Sequence, residues 1–308
     1  MWHTPPMTSE TITAAASGTL TLGDLTVHRV GLGAMRLTGN AAFHLGTPSD
    51  RARSLAVLRR AVELGVNHID TAAFYFSSLR SANELINTAL APYADELVIA
   101  TKVGPFREQD GSWGTAARPD QLRGHVEENL RQLGRDHLDL VYLRRMRQDS
   151  VAEHFGALAE LREAGLIRHL GISAIEPRHL DEALAIAPVV AVQNRYGLDN
   201  PGPEGKELLK LCGERGIAFV PFYSVAGETG ERGAHERVAS DADAVVAEIA
   251  GAHGVSPTQV RIAWTLHQGP HVLAIPGTGD PAHLTENIAA GALKLTDGEL
   301  GRLNAFHQ

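Results

Sequence analysis

From Arg29 onward the chain alternates between short runs rich in β-branched and apolar residues and longer segments in which apolar positions recur every three or four residues. The first pattern predicts buried strands and the second amphipathic helices. Strands are expected at 29–33, 67–71, 97–102, 139–143, 168–173, 189–193, 217–221 and 272–276. Between them lie helical patterns at 50–64, 119–133, 151–164, 177–187, 204–215 and 281–289, with further ones at 241–251, 257–267 and 296–306. Several open on helix-start residues, namely Ser49-Asp50, Pro119-Asp120 and Asp280-Pro281. Several close on Gly65, Gly134, Gly165 or Gly216, where a left-handed cap is needed.

Ahead of these, Thr19 to Val27 alternates in polarity across Gly23-Asp24 and predicts a small β-hairpin able to plug one end of the downstream domain. Eight strand runs alternating with helices, without a composition break, favour an α/β fold of the (β/α)8 barrel type over an open doubly wound sheet. The dinucleotide fingerprint Gly-x-Gly-x-x-Gly is missing after the first strand, and Gly31-Leu32-Gly33 reads as a tight strand exit. Residues 1–18, rich in Thr, Ser, Ala and Pro, are expected to be a disordered tail, and residues 19–308 the barrel. Two connections exceed the usual length: 104–118, holding Phe106 and Trp113, and 222–240, rich in Gly, Glu and Ser. Both are expected to be lids, because loops after barrel strands lie on the catalytic face.

Composition narrows the function. The formal charge of -8 and the lack of a Lys/Arg run argue against nucleic acid as a partner, leaving small molecules. Cys212 is the single cysteine, so a disulfide within the chain and a zinc site of several Cys are excluded, and a reducing cytoplasm fits. No apolar run approaches the roughly 18 residues that span a bilayer, and Met1 to Gly18 is unlike a signal peptide, so no membrane association is expected. Oligomeric state is not legible.

In a barrel the chemistry sits at the C-terminal ends of strands. Asp70 ends the second strand and Lys102 the third, so the two are neighbours and form an ion pair at low dielectric. Tyr75 follows closely, and a cation beside a phenol favours the phenolate, which suits Tyr75 to general acid work at neutral pH. A purely structural ion pair with Tyr75 in the core is the alternative. His68 and Asp70, at i and i+2 on one strand, raise a metal-dependent hydrolase as a competing reading, though one His without a strand-end partner makes a poor site and no metal is expected. His125, His137, His169 and His179 fall in or beside helical segments and are expected on the surface.

Asp70-Thr-Ala-x-x-Tyr75, Asn83-Glu84 and Thr101-Lys102 resemble the aldo-keto reductases. So do Gly171-Ile-Ser173, Val192-Gln193-Asn194, Val220-Pro-Phe222-Tyr-Ser224, and Ile275-Pro-Gly-Thr278 followed by His283-Leu-x-Glu286-Asn287, all in the order that family requires. The resemblance implies a (β/α)8 barrel that binds NADPH across its mouth and reduces an aldehyde or ketone. Tyr75 would protonate the carbonyl oxygen, Lys102 would lower the phenol pKa and Asp70 would hold Lys102. Ser173 and Gln193 match positions that hold the nicotinamide carboxamide, and Phe222 the aromatic that stacks on the ring. Thr278 matches a phosphate-side hydroxyl, and Glu286 and Asn287 adenine contacts. Tyr223, Ser224, Pro276 and Gly277 complete the same cofactor motifs, and a helix N-terminus near Thr278 to Asp280 suits an anion.

Five positions depart from the family pattern. Arg144 stands where a His is usual; it cannot exchange protons near neutral pH and can only orient or stabilise an oxyanion. This resembles a bacterial subgroup that includes pyridoxal reductases, so the expected substrate is pyridoxal or a secondary-metabolite carbonyl. Phe76 replaces the Gly that normally follows the acid, and Ala174 replaces an Asn beside the carboxamide. Gly277 and His283 replace the Lys and Arg that grip the 2′-phosphate, which leaves NADH as the alternative cofactor. A nicotinamide-binding regulatory or redox-sensing barrel with little catalytic activity is the competing function.

Overall fold

The computed structural model describes residues 12–39, 45–199, 202, 204–225 and 242–307. Strands β1 (Thr19–Leu22) and β2 (Leu25–His28) form the expected hairpin around Gly23-Asp24. Strands β3 (Leu32–Gly33), β4 (His68–Asp70) and β5 (Val98–Val103) follow; then an antiparallel pair, β6 (Pro105–Arg107) and β7 (Trp113–Ala116), intervenes before β8 (Leu138–Arg144), β9 (Ile167–Ser173), β10 (Val189–Gln193) and β11 (Ala218–Phe219). β3, β4, β5, β8, β9, β10 and β11 pair in that order, all parallel. The eighth predicted run closes the circle: Val272 bridges Phe219, Ala274 bridges Val30 and Gly277 bridges Gly33. Leu273 N–H donates to Phe219 O at 3.0 Å and Gly31 N–H to Ala274 O at 2.8 Å. The expected (β/α)8 barrel is what the chain builds.

Helices α1 (Arg51–Glu63), α2 (Ala82–Leu90), α3 (Leu122–Leu133), α4 (Ala152–Glu163), α5 (Pro177–Leu184), α6 (Gly205–Arg215), α7 (Ala242–His253), α8 (Pro257–His267), α9 (Pro281–Ala289) and α10 (Asp297–Asn304) surround the strands. Their ends follow the chain's own signals: the Asp50 carboxylate accepts from Arg53 N–H, and Gly134 and Gly216 cap in the left-handed region. α2 falls outside the predicted set, although Ser81 capping Glu84 N–H marks its start.

Buried side chains form two layers. Ile69, Leu85, Ile86, Val126 and many others fill the space between strands and helices. Inside the barrel, Val98, Ala100, Leu140, Tyr142, Ala191, Ala218, Val220 and Leu273 pack together, with Leu22 and Val27 of the hairpin fully buried among them. Asp24 in the hairpin turn bonds Arg168 and His169 at the start of β9, at 2.6 and 2.5 Å. The hairpin therefore plugs the N-terminal end.

Three expectations are corrected. The tail is ordered before Gly18: Ala14–Ser17 forms a 3-10 turn, Ala14 is buried, and Ser17 Oγ accepts from Val30 N–H at 3.0 Å. Residues 1–11 lie outside the described residues. His179 is buried rather than exposed, because its ring bonds Glu176 N–H and Asp149 O across the start of α5. The connection 104–118 is the β6–β7 hairpin rather than an open lid, while most of 222–240 lies outside the described residues.

Candidate active site

Asp70 ends β4 and Lys102 lies near the end of β5, in adjacent parallel strands, so their side chains converge inside the barrel mouth. Lys102 Nζ donates to Asp70 Oδ1 at 2.6 Å and to Thr71 O at 2.9 Å, and both residues are almost wholly buried. Gln193 Nε2, at the end of β10, donates to the other oxygen, Asp70 Oδ2, at 2.7 Å. Lys102 Nζ lies 4.9 Å from the centroid of the Tyr75 ring. Burial pushes the Lys102 ammonium below the ordinary lysine range; the Asp70 charge and hydrogen bond oppose the drop, and the Arg144 charge adds to it.

A buried amide chain stands behind this pair. Thr71 Oγ1 donates to Asn83 Oδ1 at 2.8 Å, Asn83 Nδ2 to Asn129 Oδ1 at 2.9 Å, and Thr101 Oγ1 to that same oxygen at 2.6 Å. Asn83 comes from α2 and Asn129 from α3, so two helices fix the strand ends that carry Asp70 and Lys102. Directly below, His68 and Tyr142 are fully buried, and among the described residues their ring nitrogens and hydroxyl have no hydrogen-bond partner. Burial holds His68 down to about 4 and lifts the Tyr142 phenol well above its usual range, with the Asp70 charge adding to that rise.

The mouth is a cavity of about 460 Å³ lined by Asp70, Tyr75, Arg144, Gln193, Phe222, Tyr223, Ser224, Pro276, Gly277, Thr278, His283, Glu286 and Asn287 among the expected residues. Ser173, at the end of β9, is fully buried, with its Oγ unpartnered among the described residues. Residues outside the sequence reading also line the cavity, notably Met35, Arg36, Phe74, Ser256 and Thr258; all follow strand ends or open helices, the positions where a barrel places its ligands. Trp113 lines it as well, whereas Phe106 turns away to meet the His125 ring at 4.7 Å. A second cavity, of about 610 Å³, shares Arg36, Gly277, Thr278 and His283 with the first and continues toward Arg53 and Asp280.

The departures from pattern acquire physical reasons. Gly277 bridges Gly33, and a Cβ at 277 would lie 2.9 Å from Gly33 O, so the close approach of the first and eighth strands leaves no room for a Lys. Ala174 has φ 58°, a left-handed conformation that Asn tolerates better than Ala. Phe76 lies beneath the Arg107 guanidinium, 4.2 Å from ring centroid to Cζ. Arg144 faces the Phe222 ring at 5.4 Å. The expected anion site at the start of α9 is altered, because the Asp280 carboxylate itself accepts from Ala282 and His283 N–H and pairs with Arg53. Those amides are already satisfied by an anion of the chain.

The sequence matches the Aldo/keto reductase family over residues 29–308. The chain belongs to the aldo-keto reductases. It is 40% identical over 298 residues to pyridoxine 4-dehydrogenase of Escherichia coli (strain K12), covering 94% of this chain and 99% of that one. Among solved structures it resembles a thermostable aldo-keto reductase in complex with the inhibitor epalrestat, with TM-score 0.78, 29% identity and coverage of 94% and 99%. It also resembles an aldo-keto reductase from Klebsiella pneumoniae in complex with NADPH, with TM-score 0.75, 25% identity and coverage of 93% and 94%. This aldo-keto reductase is accordingly an NAD(P)H-dependent oxidoreductase of small-molecule carbonyls. Among the described residues, no helix is long and apolar enough to cross a membrane.

Proposed function

We propose that this aldo-keto reductase interconverts a pyridoxal-type aromatic aldehyde and its alcohol with NADPH, using Tyr75 as the proton donor. The observation that carries the reading is the Lys102 ammonium, held by Asp70 at 2.6 Å and poised 4.9 Å from the Tyr75 ring at the cavity wall. A desolvated cation there favours the developing phenolate as the proton leaves Tyr75 for the carbonyl oxygen. Arg144 stays charged throughout and stabilises negative charge on the substrate, either the carbonyl oxygen or a phenolate beside it. Phe74, Trp113 and Phe222 supply flat apolar walls for an aromatic ring. The relative named pyridoxine 4-dehydrogenase supports the substrate class.

The cofactor residues fit a nicotinamide nucleotide. The buried Ser173 Oγ, unpartnered among the described residues, and the Oε1 of Gln193, whose Nε2 is committed to Asp70, suit a carboxamide. Phe222 and Tyr223 offer faces to the nicotinamide ring, and Ser224 and Thr278 offer hydroxyls to phosphates. Glu286 and Asn287 suit adenine. With Asp280 engaged by Arg53, Arg36 and His283 line the cavity beside Thr278, and their N–H donors suit a 2′-phosphate, which favours NADPH over NADH. When bound, NADPH supplies the hydride.

The test is a panel of pyridoxal, simple aldehydes and polycyclic ketones, monitored by NADPH and NADH absorbance, with Tyr75→Phe alongside the native enzyme. Turnover of pyridoxal with NADPH, lowered about 10²–10⁴-fold in Tyr75→Phe with NADPH binding retained, is expected. Native-like turnover in that variant would rule out Tyr75 as the acid, and inert pyridoxal beside a reactive ketone would move the substrate class.

A further inference from the structure

We infer that Arg107 is a positioning residue for the Tyr75 phenol, and that Phe76 is the platform on which its guanidinium rests. The backbone carbonyls of Tyr75 and its two neighbours are all bonded. Phe74 O and Phe76 O accept from Arg107 Nη1 at 2.9 and 2.7 Å, and Tyr75 O accepts from Ala82 N–H at 3.0 Å. One guanidinium nitrogen thus spends both of its hydrogens on the carbonyls of the two residues that flank the acid, and charge-assisted bonds of this kind are stronger than neutral ones.

The arm itself is fixed. Arg107 Nε donates to Gly111 O at 3.1 Å within the turn of the β6–β7 hairpin. Gly111 has φ +85°, and a Cβ there would lie 2.9 Å from Leu45 N and 3.2 Å from Arg107 Nη2. Arg107 faces Trp113 in the hairpin register. The Trp113 ring meets Phe74 edge-on at 5.5 Å, and Phe74 meets the Tyr75 ring at 5.3 Å. On its other side the hairpin is anchored to α3 through Phe106 and His125. Below the guanidinium the Phe76 ring lies at 4.2 Å, within cation–π range. Phe76, where the family usually has Gly, is therefore paired with Arg107: a glycine would leave the guanidinium half-buried with no face to rest on.

Tyr75 is held relative to Lys102 at 4.9 Å, and a displacement of about 1 Å at a reacting group costs on the order of 10²-fold in rate. The inference rests on Tyr75 being the acid. Its test uses the full-length enzyme with NADPH and para-nitrobenzaldehyde, so that it does not depend on pyridoxal. Arg107→Met keeps length and loses charge and donors; kcat is expected to fall about 10–100-fold, while NADPH binding and the aldehyde KM change far less. Amide hydrogen exchange over 73–77 should quicken in Arg107→Met. Arg107→Lys, which retains a cation able to reach a carbonyl, should recover part of kcat. Phe76→Leu should lower kcat in the native background but have little further effect on Arg107→Met.

Unchanged kcat in a folded Arg107→Met, or independent effects of Phe76→Leu and Arg107→Met, would overturn the clamp. If Arg107→Met does not fold, Arg107→Lys and Phe76→Leu decide it, native kcat in both being the refuting result. Tyr75→Phe run in parallel separates the two ideas: retained turnover there sinks the acid and the clamp's catalytic meaning together. Lost turnover there with native kcat in the Arg107 variants sinks the clamp alone.

Discussion

The β1–β2 hairpin at the barrel floor and the β6–β7 hairpin at its mouth are antiparallel pairs with strands of three or four residues, yet they meet the barrel through a different balance of contacts, the floor adding the Asp24 bonds to Arg168 and His169 to a buried apolar face. The first runs in unbroken register from Thr19↔His28 to Leu22↔Leu25 and buries Leu22 and Val27 completely. The second slips in register between Pro105 and Arg107 and stays partly exposed through β7. Its contacts with the loop around Tyr75 are directed hydrogen bonds and ring edges. Apolar burial is tolerant of small movements; bonds to particular carbonyls are not. The floor is thus built for stability and the mouth for placement.

Leu22→Ala is the strongest way to break that contrast. Truncating a fully buried Leu should cost about 3 kcal/mol or more, read as a lower midpoint in denaturant, while kcat per folded molecule stays native. A fall in kcat of the folded variant would show that the floor also sets the geometry of the mouth.

His68 sits between the two ends and supplies a pH-dependent version of the same question. Its folded value of about 4 lies below the ordinary 6.5, so its neutral form contributes stability that is fully present above about pH 6.5. That contribution is lost as pH falls toward 4, amounting to at most about 3 kcal/mol. His68→Leu should flatten the dependence of Tm on pH across this window. An unaltered slope would assign the acid loss of stability to carboxylates instead.

Legibility in the sequence divides along the same line. Strand runs, helix caps and the Gly23-Asp24 hairpin were readable because burial and turn chemistry are encoded locally. Asp70 and Lys102 were findable because polar residues ending apolar strands stand out once a barrel is inferred, whereas Arg144 and Gln193 came into view through the resemblance to the aldo-keto reductases. Arg107 was not, since its partners are backbone carbonyls of a loop more than 30 residues away, which leave no side-chain pattern. The Gly33–Gly277 approach and the Asp280–Arg53 pair were hidden for the same reason: each joins segments that only tertiary folding brings together. α2 was missed although Ser81 and Glu84 carry its start signal, because the preceding stretch from Tyr75 to Ser81 has no clear periodicity.

The smallest expected effect concerns the residue that most separates this mouth from the usual aldo-keto reductase pattern. Arg144 lines the cavity, faces Phe222 at 5.4 Å, and its charge helps depress Lys102. If it stabilises charge on the substrate oxygen, Arg144→Ala should lower kcat about tenfold, or ~1.4 kcal/mol, and weaken NADPH binding much less. The same substitution removes a cation that disfavours the Lys102 ammonium, so the Lys102 pKa must rise. That change moves the alkaline limb of the kcat profile upward. Arg144→Lys keeps the charge and should hold that limb near its native position while losing the planar fork. A profile and kcat both unmoved in Arg144→Ala would make the guanidinium a packing partner of Phe222 and leave Tyr75, Lys102 and Asp70 to carry the chemistry without a fourth charge.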